Sequence, residues 1–234
     1  MNYRIVELTG LSGSGKTTFC DKLNERLHST EQKNSIIIDF YNLSVIKAFY
    51  KHFAFIRLYI KGLLPNNIRL FVLIMLLICS IKRKTLVTVR LGFKLFQYFL
   101  ISKYYESDIG YSDNGVFQFI LSIIYDASYY NKRFLNLLIK QLVKSRNNQI
   151  AYVFMKIDYE ESYKRMKSRE NKKTKSIDRM NNLSGSEALK IYRKQEYLIE
   201  YFLQLLKNMQ VSYFEVDINN HESVDTAIDR ILRC

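Results

Sequence analysis

An α/β fold, with a parallel sheet of five strands covered by helices on both faces, is what this sequence predicts. Three observations predict it. Apolar runs too short for helices alternate with longer stretches whose apolar residues recur at helical spacing. A glycine-rich loop, "GLSGSGKTTF" at residues 10–19, joins the first strand to the first helix. With one proline and eight glycines in 234 residues, no long linker divides the chain, so a single domain spanning 1–234 is expected. Strands that alternate with helices are joined by crossovers, and crossovers make neighbouring strands parallel.

The elements follow in order. "YRIVEL" (3–8) alternates and is rich in β-formers, and "TTFCDKLNERL" (17–27) places Phe19, Leu23 and Leu27 on one helical stripe. "NSIIIDFYN" (34–42) reads as a second buried strand ending in Asp39. Residues 44–105 lose strand character and read as several helices broken near Gly62–Asn67. A third strand is expected near 108–112, ahead of the turn signal Asp113-Asn114-Gly115. "VFQFILSIIYDASYY" (116–130) and "RFLNLLIKQLVKSR" (133–146) carry helical spacing, and "QIAYVFMKID" (149–158) is the fourth strand. "EESYKRMKSRE" (160–170) opens a helix, and "NKKTKS" (171–176) reads as a loop. "GSEALKIYRKQEYLIEYFLQLLKNM" (185–209) is a long amphipathic helix with Ser186 as its expected N-cap. "VSYFEVD" (211–217) gives the fifth strand and "ESVDTAIDRIL" (222–232) the closing helix.

The loop at 10–19 fits G-x-x-x-x-G-K-[ST], with Gly10, Gly15, Lys16 and Thr17 at the fixed places. Backbone N–H groups from Gly10 through Ser12, Gly13, Ser14, Gly15, Lys16, Thr17 and Thr18 would turn inward, at a helix N-terminus that favours anions. Lys16 would reach the β- and γ-phosphates of ATP, and Thr17 would place its hydroxyl on Mg²⁺. That is a P-loop NTPase signature, and it serves kinases, GTPases and motors alike.

Phosphoryl transfer also needs a group to orient the acceptor and cations to neutralise charge. Asp39, at the end of strand two, would face the γ-phosphate and take the acceptor proton, or else it caps a turn. Asp113, at the end of strand three, would hold Mg²⁺ through water or position the acceptor, or belongs to an ordinary Asp-Asn-Gly turn. After strand four come Arg165, Arg169, Lys172, Lys173, Lys175 and Arg179, which suit a closing lid over 165–182 or a solvated face. Arg165 and Arg169 are the candidates to stabilise transferred charge, because guanidinium geometry matches phosphate.

These parts together resemble the P-loop nucleoside and nucleotide kinase group, and are thymidylate-kinase-like. "YVFMKIDYEESYKRMKSRE" is similar to that group's fourth strand, where a helix following an Asp carries R-x-x-x-R into the lid. "IIIDFYN" resembles the Asp-x-Phe-Tyr of uridine kinases without its spacer, and "DNGVFQ" is similar to the Asp-x-Gly-x-x-Gln turn of thymidylate-kinase-like proteins. The likeness covers about residues 1–43 and 107–234. It implies ATP and Mg²⁺ as cofactors and a small-molecule phosphate acceptor: a nucleoside, a nucleotide or a sugar-like hydroxyl compound. Thymidylate kinases follow the strand-three Asp with Arg, and this chain has Asn114. The arginine that would grip an acceptor phosphate is absent there, which leaves room for an unphosphorylated hydroxyl.

Net charge is +14, and between Ser44 and Tyr105 there is no Asp or Glu against eleven Lys and Arg. The apolar run Leu70–Cys79 is far short of the roughly 20 residues that span a bilayer. Three readings of 44–105 stand open: helices packed in a core, a peripheral contact with anionic membrane, and a groove for nucleic acid. The density of Leu, Ile and Phe favours the first two. The N-terminus enters a strand at once, so no signal peptide is expected. Cys20, Cys79 and Cys234 are odd in number and scattered, which fits reduced thiols in a cytoplasmic protein, peripheral at most to the inner face of the membrane.

Against the kinase stands a nucleotide-dependent ATPase or switch whose output is binding to membrane or nucleic acid. No Asn/Thr-Lys-x-Asp for guanine and no apolar strand ending in Asp-Glu is found. A polynucleotide 5′-kinase is an intermediate case that charge alone supports.

Overall fold

The computed structural model describes residues 5–29, 36–37, 63–82, 85–104, 110–112, 114–125, 127–146, 150–170 and 185–233. In chain order its elements are β1 (Ile5–Thr9), α1 (Lys16–Ser29), β2 (Ile36–Ile37), α2 (Pro65–Ser80), α3 (Leu86–Tyr104), β3 (Gly110–Ser112), α4 (Val116–Ile123), α5 (Lys132–Lys144), β4 (Ile150–Lys156), α6 (Tyr159–Glu170), α7 (Gly185–Asn208), β5 (Tyr213–Asp217) and α8 (His221–Arg233). The chain divides into two compact units. One comprises Met1–Glu7 with Asn34–Ile150, the other Leu8–Lys33 with Ala151–Cys234. β1 therefore gives its first residues to one unit and its last to the other.

In the first unit β3 lies between β1 and β2 and is parallel to both. Ile5 pairs with Gly110 and Glu7 with Ser112, while Ile36 and Ile37 pair with Gly110 and Tyr111. Among the described residues, four helices build its core. α3 packs on α4, and α2 on both α3 and α5. Leu70, Ile74 and Leu77 of α2, Leu95 and Phe99 of α3, and Leu135, Leu138 and Ile139 of α5 are fully buried. The approach of α2 to α3 depends on Gly92, where a Cβ would lie 2.2 Å from Ile78 Cδ1 and 3.1 Å from Ile74 Cγ2. Asn131 caps α5, its side chain accepting from the Arg133 and Phe134 N–H groups.

α4 is shorter than its apolar spacing suggests. The chain leaves the helix at Ile124, whose φ of −100° and ψ of 14° break the repeat. The Ala127 N–H then bonds the Ile124 carbonyl in a turn.

In the second unit β4 pairs in parallel with β5, from Tyr152 with Tyr213 to Lys156 with Asp217. Six successive residues of β4 are buried, on both sides of the strand, which is why it reads as an unbroken apolar run. Phe19, Leu23 and Leu27 of α1 are all fully buried, as the helical stripe predicts. Each contributes about 1.5–3 kcal/mol by leaving water. α6 packs on α7, and α8 on β5. α7 starts at Gly185, so Ser186 sits within its first turn and does not cap it. No described helix is long and apolar enough to cross a membrane.

Candidate nucleotide-binding site

The site is built in the second unit, where the chain leaves β1, turns through residues 10–15 and enters α1. Gly13 and Gly15 have φ of +89° and +85°, a region that side chains with a Cβ rarely adopt. They also have no room: a Cβ on Gly13 would meet the Ser162 carbonyl at 2.6 Å, and one on Gly15 would meet Ile218 Cγ1 at 2.5 Å. At the loop's start, a Cβ on Gly10 would lie 2.8 Å from Met155 Cβ. The loop thus lies flush against β4, α6 and the turn after β5.

Its polar groups are held from within. Lys16 Nζ donates to the Gly10 and Leu11 carbonyls at 2.9 and 2.8 Å, curling its side chain back over the loop. The Ser12 carbonyl accepts from Ser162 Oγ at 2.6 Å and from Tyr192 OH at 3.2 Å. The Ser14 N–H also donates to the Leu11 carbonyl, at 3.2 Å, which closes the loop's turn. The first turn of α1 carries no acidic residue, and Thr17 and Thr18 are exposed there. Ser14 Oγ is buried and has no hydrogen-bond partner among the described residues. That is an orphaned polar group of the kind a bound ligand satisfies.

α6 begins two residues after the turn from β4, with Asp158 as its cap: Oδ1 accepts from the Glu160 and Glu161 N–H groups at 2.8 and 3.2 Å. One face of this helix lies on the loop. Arg165 Cβ is 3.4 Å from the position of a Gly13 Cβ. The Arg165 guanidinium donates to Glu161 Oε1 at 3.0 Å and to Asn219 Oδ1. Behind it, Tyr163 and Tyr192 meet edge to face, with centroids 5.8 Å apart. Ser162, Tyr192 and Ile218 hold the loop and Asn219 holds Arg165 beside it, and no motif in the sequence marks them.

The sequence matches no family model and no curated protein. Among solved structures, a deoxyadenosine kinase from M. mycoides, with products dCMP and a flexible dCDP bound, is similar at a TM-score of 0.51 and 15% identity. The likeness covers 98% of this chain and 96% of that one. The same enzyme with bound dATP gives a TM-score of 0.48 and 14% identity, over 99% and 98% of the two chains. A shikimate kinase from Bacteroides thetaiotaomicron gives 0.40 and 14%, over 98% and 96%. The likeness to the first of these is one of fold.

Within this fold, the predicted residues Gly10 to Thr18 and Arg165 come together in the second unit. Arg169 stands one turn beyond Arg165 on α6, but its side chain lies outside the described residues, as do Asp39, Asp113 and the predicted lid beyond Glu170. No group of three or more His, Cys, Asp or Glu that could hold a metal occurs among the described residues.

The first unit holds a separate buried polar cluster. Glu7 and Arg146 form an ion pair with side chains 0% and 2% exposed. Glu7 Oε2 also accepts from the Val116 N–H at 3.2 Å, so a strand residue caps α4. Gly115 makes this possible, since a Cβ there would lie 2.6 Å from Glu7 Cβ. The Arg146 guanidinium also lies over the rings of Tyr98 and Phe99, at 5.5 and 5.4 Å. Burial, and then the Glu7 charge, push the Tyr98 hydroxyl well above its ordinary pKa. This cluster was not foreseen, although a carboxylate within an apolar strand was the signal for it.

Proposed function

We propose that the chain is an ATP-dependent kinase that transfers the γ-phosphate to a hydroxyl of a small acceptor. The observation that carries this reading is α6 laid directly on the phosphate loop, with Ser162 clasping Ser12 and Arg165 beside Gly13. A helix wired to the loop at one end and leading at the other into Arg169 and the basic segment suits a lid over a phosphoryl group. The fold likeness to a deoxyadenosine kinase supports small-molecule transfer over a motor or switch.

In this reading Lys16 exchanges its carbonyl contacts for phosphate oxygens as nucleotide enters, and Ser14 Oγ gains a partner. Thr17 holds Mg²⁺, which when bound neutralises charge between the phosphates. Arg165 and Arg169, within a lid over 165–182, stabilise the transferring group. Asp39 and Asp113 keep their proposed roles as proton acceptor and metal partner. The thymidylate-kinase-like arrangement of parts supports a nucleoside, nucleotide or sugar-like acceptor, and Asn114 favours one without a phosphate.

The test is transfer of labelled γ-phosphate from ATP into pools of nucleosides, nucleoside monophosphates, sugars and 5′-hydroxyl oligonucleotides. A Lys16→Ala protein is the blank, expected to be slower by about 10²-fold or more. Label in one small-molecule pool, lost in the blank, is the expected result. Label released only as free phosphate would sink the kinase and leave an ATPase.

A further inference from the structure

In the first unit, α2 turns an apolar side to solvent. Ile68, Val72 and Leu76 are 45%, 46% and 39% exposed, and spacing by four keeps them on one face. A helix with one buried face ordinarily sets polar residues on the other. Here Leu70, Ile74 and Leu77 fill the buried face, and Arg69 is the helix's sole charge. α3 extends the surface: Phe93, 48% exposed, lies with its ring 5.7 Å from that of Phe71 on α2. Arg90, exposed, shares the Phe93 face by spacing.

We propose that this face docks on the surface of an anionic lipid bilayer, with α2 and α3 lying in the interfacial plane. The geometry is that of a helix lying on a membrane, because none described is long and apolar enough to cross one. Charge complementarity selects the occupant. From Ser44 to Tyr105 the chain has no carboxylate to repel anionic headgroups. A second copy would bring the same acid-free segment against this one, like charge against like. A nucleic acid would engage cations and ring faces and leave the aliphatic row of Ile68, Val72 and Leu76 unused. The surface stands apart from the kinase reading and needs no nucleotide.

The experiment is sedimentation of the full chain with phosphatidylcholine vesicles, with and without phosphatidylglycerol as about one-third of the lipid. The protein is expected on the anionic vesicles only, and salt is expected to release it. Val72→Asp with Leu76→Asp should weaken binding by at least about tenfold, and Arg69→Gln by about fivefold. Val72→Leu with Leu76→Ile should bind as the parent does, and so should Lys16→Ala. Unchanged thermal melting of the aspartate variant shows that the loss is not unfolding. Failure to bind anionic vesicles, or equal binding to neutral ones, overturns the proposal. So does an oligonucleotide that binds in a Val72- and Leu76-dependent way, or a dimer in light scattering that the aspartate variant dissolves.

Discussion

Ser162 contributes one hydroxyl to the phosphate loop, 2.6 Å from the Ser12 carbonyl, and Tyr192 contributes a second at 3.2 Å. A single hydrogen bond of this kind is worth about 1 kcal/mol net, or roughly fivefold in an equilibrium. Ser162→Ala should therefore weaken ATP binding by about fivefold in calorimetric titration, and Ser162→Thr should recover part of the loss. Unchanged affinity in the alanine variant would mean that the clasp does not shape the loop. At this scale the sequence was legible only where residue type and spacing are both fixed by chemistry. Gly10, Gly15, Lys16 and Thr17 were readable because phosphates demand them in that order. Ser162 and Asn219 were not, since each meets a partner remote in sequence through a generic hydrogen bond.

At the scale of elements, α4 starts where it does because Glu7 of β1 takes the Val116 N–H while holding Arg146. Both side chains of the pair are buried, so removing one leaves the other charge without compensation. Glu7→Gln should lower stability by about 3–5 kcal/mol in urea unfolding. Glu7→Gln with Arg146→Met should cost less than the sum of the two single changes, and strict additivity would show that the two do not act as a pair. Elements with one dominating pattern were readable in advance: the stripe of α1 and the apolar run of β4 leave a single way to bury them. Their ends were less so. Ser186 fell inside α7 and α4 stopped at Ile124, because an end is decided by local capping and turn bonds that apolar spacing does not encode.

For the whole molecule, Tyr98 sets a limit on the alkaline side. It is fully buried beside Glu7, and burial first, then the Glu7 charge, hold its hydroxyl well above the ordinary tyrosine pKa of about 10. Above that pH the unfolded chain releases the Tyr98 proton and the folded chain keeps it. The folded state then binds more protons, and its stability falls as pH rises. Below pH 10 this contribution is present in full. Thermal melting should therefore decline above about pH 10, and Tyr98→Phe should flatten the decline while lowering stability at neutral pH by about 1 kcal/mol. An equally steep decline in the phenylalanine variant would place the cause elsewhere.

β1 serves two units with five residues, Ile5–Glu7 for one and Leu8–Thr9 for the other. Ile5 finds its partner only at Gly110, and β4 begins at Ile150. At synthesis rates of about 5–20 residues per second, β1 exists for roughly 5–20 s before its neighbour in β3 is made. For that interval Ile5, Val6 and Leu8, all buried in the finished protein, are exposed on the nascent chain. β1 is thus a client for a ribosome-bound chaperone during that interval. A fragment cut anywhere before β3 is expected to leave that strand unpaired and aggregate.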